Sequence, residues 1–250
     1  MSPKISIITV SYNSGATIRK TIESVNKQDY ENYEHIFIDG SSDDNTCELI
    51  KKFSKKHILI SERDDGLYDA MNKGLENATG DIICFLNSDD FYAHKNVLRE
   101  VVKKFQDNDA EVVISNIGYV DDNNNVSRIY KGIGFKKWQC KYGFIPPHLG
   151  TFLSSMTVKA VGKFSLDYQI ASDFDYLLRV FHNTSETKVA ELNKITLYMT
   201  EGGLSTKNLN SNWIISKDIY KSLKDNNIYA SMFLIIMRLP IKYFNLFSIK

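Results

Sequence analysis

The stretch "CFLNSDDFY", Cys84 to Tyr92, drives an apolar run into Asn87, Ser88, Asp89 and Asp90. Adjacent carboxylates at the end of a buried strand are costly unless a cation, a strong set of donors or water meets them. Their oxygens suit Mg²⁺ or Mn²⁺, hard cations that keep waters and bind through one or two carboxylates plus substrate phosphates. Asp89 and Asp90 therefore fit a site for a metal and a diphosphate. The plainer alternative is that Asp90 caps the following turn and Asp89 is solvated. A second acidic cluster, "SDFD" from Ser172 to Asp175, precedes "YLLRVF". Asp173 can cap a helix there or act as general base toward a hydroxyl, while Asp175 suits a first-turn acid favoured by the helix dipole.

Two further loops could meet a nucleotide. "DGSSDDNT" is small, hydroxyl-rich and feeds a helix N-terminus, where free N–H groups favour anions. Asp39 sits at its start, able to accept hydrogen bonds from a base or ribose, with Ser41 two residues on. "SYNSG" offers Tyr12 for stacking and Asn13 for turning the chain. No GxGxxG follows the first strand, which counts against an NAD-type dinucleotide fold.

The elements that must position these loops alternate in period. "KISIITVSY", "YEHIFIDG", "HILIS" and "DIICFL" are β-branched, apolar runs of strand length. Between and after them, "ATIRKTIESVNKQ" puts Ile18, Ile22 and Val25 on one helical face, and "GLYDAMNKGLENA" does so with Leu67, Met71, Leu75 and Ala78. "DDNTCELIKKF" reads as a helix with Asn45 as N-cap, Glu48 as its capping-box partner, and Leu49, Ile50 and Phe53 inward. "NVLREVVKKF" is a fourth helix. Such alternation predicts an α/β fold with a mostly parallel, Rossmann-like sheet covered on both faces, and ligands outside the carboxyl ends of its strands. Beyond Phe105, "AEVVISNIGYV" and "VSRIYK" flank a turn as a hairpin, followed by a short helix at "SDFDYLLRVF" and a strand or strand pair at "TKVAELNKITLYMT".

A chain of 250 residues with 31 basic and 30 acidic side chains can bury one large core and carries no global nucleic-acid footprint. Cys47, Cys84 and Cys140 form no CxxC pair, which suits a reduced, cytoplasmic chain. "MSPKISIITV" enters the first strand without the regions of a secretory signal. "MFLIIMRLPIKYF", broken by Arg238, Pro240 and Lys242, is too short to span a bilayer but has the composition of an interfacial segment; packing onto the core explains it equally well.

"ISIITVSYNSG", "IFIDGSSDDNT", "DGLYDAMNKGLENATGDIICFLNSDD" and "YQIASDFDYLLRVF", in that order, resemble the family 2 glycosyltransferases. The chain is most similar to bacterial enzymes that assemble surface polysaccharides, over roughly residues 4 to 205. The resemblance implies a GT-A fold at 1–205, with a nucleotide-sugar half at 1–105, an acceptor half at 106–205 and a C-terminal helical extension at 206–250. Carried over, Thr9, Val10, Tyr12 and Asn13 line the nucleoside pocket, Asp39 and Ser41 join them, Ser88 lies on the donor side, and Asp89 and Asp90 hold the cation. Asn87 stands where the motif's first acid often lies. Asp65 replaces a residue often basic in related sequences, with Arg63 as a substitute, and Asp69, Asn72 and Lys73 support the diphosphate. Asp173 becomes the base, and His148 after Pro146 and Pro147 meets the acceptor or diphosphate, although alone such a histidine reads as structural. "EGGLST" resembles a Gly-Gly-x-Ser loop that could close over the donor.

The expected reaction is metal-assisted, inverting transfer from a nucleotide-diphosphate sugar to a hydroxyl of a glycan or lipid-linked oligosaccharide, at or near the inner membrane surface. A nucleotidyltransferase and a non-catalytic nucleotide-sugar-binding module are the alternatives. The first would normally carry a Gly-rich, basic loop after strand one, which "SYNSGATIRK" scarcely supplies.

Overall fold

The computed structural model describes residues 2–121, 123–200 and 209–247, with side chains defined over 2–121, 123–200 and 211–240. The β-branched runs form β1 (Ile5–Ser11), β2 (Tyr33–Asp39), β3 (His57–Ser61) and β4 (Ile82–Phe85). Every residue of β1, β2 and β4 is buried, as expected of strands covered on both faces. Between them run α1 (Ile18–Asn26), α2 (Thr46–Phe53) and α3 (Leu67–Asn77). The remainder comprises β5 (Phe91–Tyr92), α4 (Val97–Asn108), β6 (Val112–Val120), β7 (Val126–Tyr130), β8 (Thr151–Ser154), α5 (Ser155–Val161), α6 (Ser172–Asn183), β9 (Val189–Thr200), α7 (Leu209–Asp225) and α8 (Met232–Phe247).

These strands make one sheet in the order β3-β2-β1-β4-β8-β6-β9-β5, with β7 beside β6. β3, β2, β1 and β4 are parallel. β8 runs antiparallel to β4 and β6, and β9 returns parallel to β6. The chain steps from β1 outward to β3 and then crosses back to β4 on the other side of β1. That reversal opens a crevice at the carboxyl ends of β1 and β4, where "SYNSG" and "NSDD" leave the sheet.

Several local expectations change. The Asn45 side chain makes no capping bond; Asp44 accepts from Thr46 N at 3.0 Å instead. On α3 the buried face is Ala70, Met71, Asn72 and Gly74, while Leu67 is 45% exposed. The cause is close packing: a Cβ on Gly74 would lie 2.3 Å from Ile8 Cγ2, so the helix turns its smallest residue to the sheet. "TKVAELNKITLYMT" is one long strand, whose pairing with β6 shifts register around Asn116. The extension does pack on the core: Ile219, Leu223 and Ile235 form a buried cluster with Cys140, Ala171, Phe174 and Leu178. Its outer face keeps Phe233, Ile236 and Met237 exposed. Among the described residues no helix is long and apolar enough to cross a membrane.

Candidate active site

The turn after β4 is held from three directions. Leu86 N donates to Ile8 O (2.9 Å), Thr21 Oγ1 of α1 to Asp90 O (2.7 Å), and Thr200 Oγ1 at the end of β9 to Asp89 O (3.0 Å). So fixed, the Asp90 carboxylate is 1% exposed, and its Oδ2 and the neighbouring Asn87 Oδ1 have no hydrogen-bond partner. Burial, then the charge of Asp89, pushes the Asp90 pKa well above the usual carboxylate range, and burial raises Asp89 too. An orphaned buried oxygen beside a second carboxylate is a poor place for two anions and a suitable one for a hard cation. Among the described residues no cluster of three or more His, Cys, Asp or Glu forms a metal cage. A pair of acids nevertheless fits Mg²⁺ or Mn²⁺, which complete their shells with water and phosphate oxygens.

The neighbouring loops are laced to one another. Ser14 Oγ and Ser88 Oγ lie 2.8 Å apart, joining the turns after β1 and β4. Asn13 N donates to Ser42 Oγ (2.8 Å) and Asn13 Oδ1 accepts from Asp43 N (2.9 Å). Asn13 and Ser41 both take positive φ, at 47° and 61°. Tyr12 projects from this lattice, 64% exposed, as a flat platform. Gly40 leaves the gap beside it, since a Cβ there would lie 3.4 Å from Tyr12 Cδ2 and 2.7 Å from Asp64 Oδ2.

Asp39 accepts from Ser11 Oγ (3.2 Å), Ser42 Oγ (2.5 Å), Ser42 N (2.9 Å) and Ser61 Oγ (2.8 Å). Burial works against its charge, but these bonds, those of Ser42 foremost, hold its pKa below the usual value. Those donors fill the acceptor sites of a carboxylate, so contact with a ribose requires one to exchange.

Other expected contacts are engaged elsewhere. Thr9 Oγ1 is buried 2.9 Å from His35 Nε2, so its side chain belongs to the sheet interior, with Val10 8% exposed beside it. Asn72 is pinned to the backbone of Phe164, donating at 3.0 Å and accepting at 2.8 Å, because α3 lies close against that segment. Lys73 pairs with Glu62 (2.9 Å) and Asp69 (3.5 Å), and Asp69 accepts from Asp65 N (3.2 Å). Arg63 and Asp65 stay on the exposed rim. His148 packs against Phe85 and Phe164 at ring distances of 4.8 and 5.5 Å. Its Nε2 is buried without a partner, and burial lowers its pKa to about 4, so the imidazole is neutral. The "EGGLST" loop lies outside the described residues.

The second acidic cluster resolves cleanly. The residue preceding α6 is Ala171, so Asp173 stands inside the first turn and accepts from Phe174 N at 2.8 Å. Asp175 is consumed structurally, by Arg179 (2.8 Å), Ser222 (2.9 Å) and Asn226 (3.0 Å). After burial, the negative charge of Asp173 helps raise the pKa of Tyr68, Tyr119 and Tyr130. The charge of Asp90 acts on Tyr119 as well. Arg128 of β7 covers its ring at 3.9 Å. Sequence reasoning missed Tyr119 and Arg128, which sit in an ordinary hairpin pattern.

Residues 6–159 match the family model described as Glycosyl transferase family 2. The chain belongs to that family and is a glycosyltransferase, with the GT-A arrangement of sheet and helices. It is 32% identical to an uncharacterized glycosyltransferase of Mycobacterium tuberculosis over 181 residues, 71% of this chain and 69% of the relative. The crystal structure of S. aureus TarS 1–349 with UDP-GlcNAc shares the fold at a TM-score of 0.72 and 18% identity, covering 88% of this chain and 66% of that one. A mannosyltransferase from Pyrobaculum calidifontis in complex with GDP-Man and Mn²⁺ shares it at 0.64 and 17%, covering 90% and 64%.

Proposed function

We propose that the protein transfers a sugar, with inversion, from a nucleoside-diphosphate sugar to a hydroxyl of a glycan or lipid-linked acceptor, in surface polysaccharide assembly. The observation that carries this reading is the pair Asp89 and Asp90 at the carboxyl end of β4, with its buried, orphaned oxygen. Asp89 and Asp90 would hold Mg²⁺ or Mn²⁺, which when bound neutralises charge on the departing diphosphate. Tyr12 offers a stacking surface for the base. Asp173 accepts the acceptor's hydroxyl proton as that oxygen bonds to the anomeric carbon. The bond from that carbon to the phosphate oxygen breaks, and its electron pair leaves with the nucleoside diphosphate. The nucleotide-binding half at 1–105, the acceptor half at 106–205 and the extension remain the division we favour.

A thermal-shift panel of nucleoside diphosphates with and without Mn²⁺ tests the donor side. At a hundredfold excess over Kd, a ligand that binds only the folded state adds about 3 kcal/mol, or roughly 5–10 °C for a chain of this size. One nucleotide should give that shift only with metal. No shift from any nucleotide would refute the donor site.

The outward face of α8 favours a lipid-linked acceptor at the cytoplasmic membrane surface. Phe233, Ile236 and Met237 are 70%, 37% and 45% exposed, and the adjoining turn presents Trp138 and Tyr142, edge to face at 5.8 Å, beside Lys136 and Lys141. Aromatic, aliphatic and basic groups together suit an anionic interface. The double substitution Phe233→Ser with Met237→Ser should lower cosedimentation with anionic vesicles severalfold. Undiminished binding would remove the membrane from this reading.

A further inference from the structure

Tyr68, Asn72 and Glu76 recur every fourth residue along α3 and so share one of its faces. All three meet the segment that runs from Lys163 to Ile170 toward α6. Glu76 pairs with Lys163, and Asn72 exchanges two hydrogen bonds with the Phe164 backbone, at 3.0 and 2.8 Å. The Tyr68 ring stacks on that of Phe164 at 5.8 Å, and its hydroxyl donates to Ile170 O. The segment thus passes from the C-terminal end of α3 to its N-terminal end. Its last bond, from Tyr68, falls in the turn just before Asp173. The same turn is fixed on its other sides by Asp218 of α7, which accepts from Ile170 N (2.9 Å) and Ala171 N (3.2 Å), and by Ser172 Oγ, which donates to Ser165 O (2.6 Å). Asp218 takes the turn's N–H groups; Tyr68 takes a carbonyl.

We propose that Tyr68 is a positioning residue for Asp173: bonded to Ile170 O from α3, its hydroxyl sets the turn that aims the base's carboxylate at the acceptor. This rests on Asp173 being the base. A side chain in the first turn of a helix takes its direction from the backbone that enters the helix, and that backbone has few bonds of its own. Burial foremost raises the pKa of Tyr68, so its hydroxyl stays protonated and able to donate, and the backbone amides of Asp173 and Ser172 bear on the same oxygen. The neighbouring face of α3 has a different task. Lys73 Nζ donates to Arg63 O (2.7 Å) and pairs with Glu62 (2.9 Å), and Asp69 accepts from Asp65 N (3.2 Å), which holds the loop after β3. Loss of the Tyr68 hydroxyl leaves those bonds in place. Tyr68 touches neither donor nor acceptor in the proposed reaction and moves no proton.

The test uses the full chain with Tyr68→Phe, which removes the hydroxyl and keeps the ring against Phe164, so the variant should stay folded with Tm roughly 2–4 °C lower. Release of nucleoside diphosphate from the nucleotide sugar that the thermal panel selects should show kcat lowered about 10- to 100-fold, the order expected when a reacting group is misplaced by about an ångström. Donor KM and the donor-induced thermal shift should not change. In an Asp173→Asn background the same substitution should cost less than about twofold, because a residue that acts through the base has nothing left to aim. Costs that multiply would overturn the proposal, as would a raised donor KM or a kcat within about twofold of the unsubstituted protein. Glu76→Gln, at the far end of the same face, separates aiming of the base from general loosening of the segment. It should leave kcat within about twofold, and a loss equal to that of Tyr68→Phe would overturn the proposal. Amide hydrogen exchange needs no acceptor: in Tyr68→Phe, exchange over residues 170–175 should quicken severalfold while that over 62–66 stays the same, and unaltered protection of 170–175 would sink the idea. Full activity in Asp173→Asn would instead overturn the base assignment itself, a result distinguishable from failure of Tyr68 alone, in which Asp173→Asn is impaired and Tyr68→Phe is not.

Discussion

Asp173→Asn should lower kcat by about 10²- to 10⁴-fold while leaving the donor-induced thermal shift intact. The substitution is nearly isosteric and removes only the capacity to take a proton. The Asp173 carboxylate accepts from Phe174 N at 2.8 Å, a bond that an amide oxygen can also accept, so α6 should remain formed. The acidic neighbour Asp175 cannot substitute, because Arg179, Ser222 and Asn226 hold both its oxygens. Single-turnover measurement of nucleoside diphosphate release checks the rate. A non-catalytic sugar-nucleotide module predicts no change in any behaviour, so the same experiment separates the two classes.

Asp90→Asn should act in opposite directions on stability and on turnover. Its carboxylate is buried, repelled by Asp89, and carries an oxygen without a partner. The folded-state pKa therefore lies above the unfolded value, so the stability contribution of the protonated form is complete below the unfolded pKa, about 4, and is lost as pH rises through the folded one. Without divalent metal, the Asn variant should melt roughly 2–5 °C higher than the unsubstituted chain near neutral pH, and the two should converge in acid. With Mn²⁺ and the selected nucleotide, the unsubstituted chain should gain its shift and the variant should not. Turnover should fall by about 10³-fold or more, since several kcal/mol of charge neutralisation on the leaving group are withdrawn. Calorimetric melting from pH 4 to 8 with and without Mn²⁺ reads the stability and metal effects, and release of nucleoside diphosphate reads the turnover. A lower metal-free melting point at neutral pH would contradict the physical account of the pair.

The parallel half of the sheet was legible because each strand is a continuous β-branched run and each helix a regular apolar stripe. Where the reading failed, packing overrode pattern. On α3, Leu67 follows the apolar spacing but is exposed, because Gly74 must meet Ile8. At α2, Asp44 and not Asn45 caps, a choice of one residue that no periodicity encodes. In the candidate site, Asp89, Asp90 and Asp173 stand out in the sequence because carboxylates at strand and helix ends need a reason to be there. Thr9 and Asn72 were expected at the donor, yet their side chains are turned to His35 and Phe164, a matter of orientation that spacing leaves open. Tyr119 lies on β6, away from both acid clusters in the sequence, and nothing local marks it.

The lacing of the recognition loops limits how this scaffold can be re-engineered or can diverge. The loop after β1 is anchored through Asn13, Ser14 and Gly15 to Ser42, Asp43, Asp44 and Ser88, on loops reached only later in the chain. A graft that replaces one of these loops strips hydrogen-bond partners from the others and leaves backbone amides unmet at the rim of the proposed nucleotide pocket. Changes of donor preference should therefore be inherited as matched sets of loops, and a successful chimera should carry residues 11–15, 40–46 and 87–90 from the same parent.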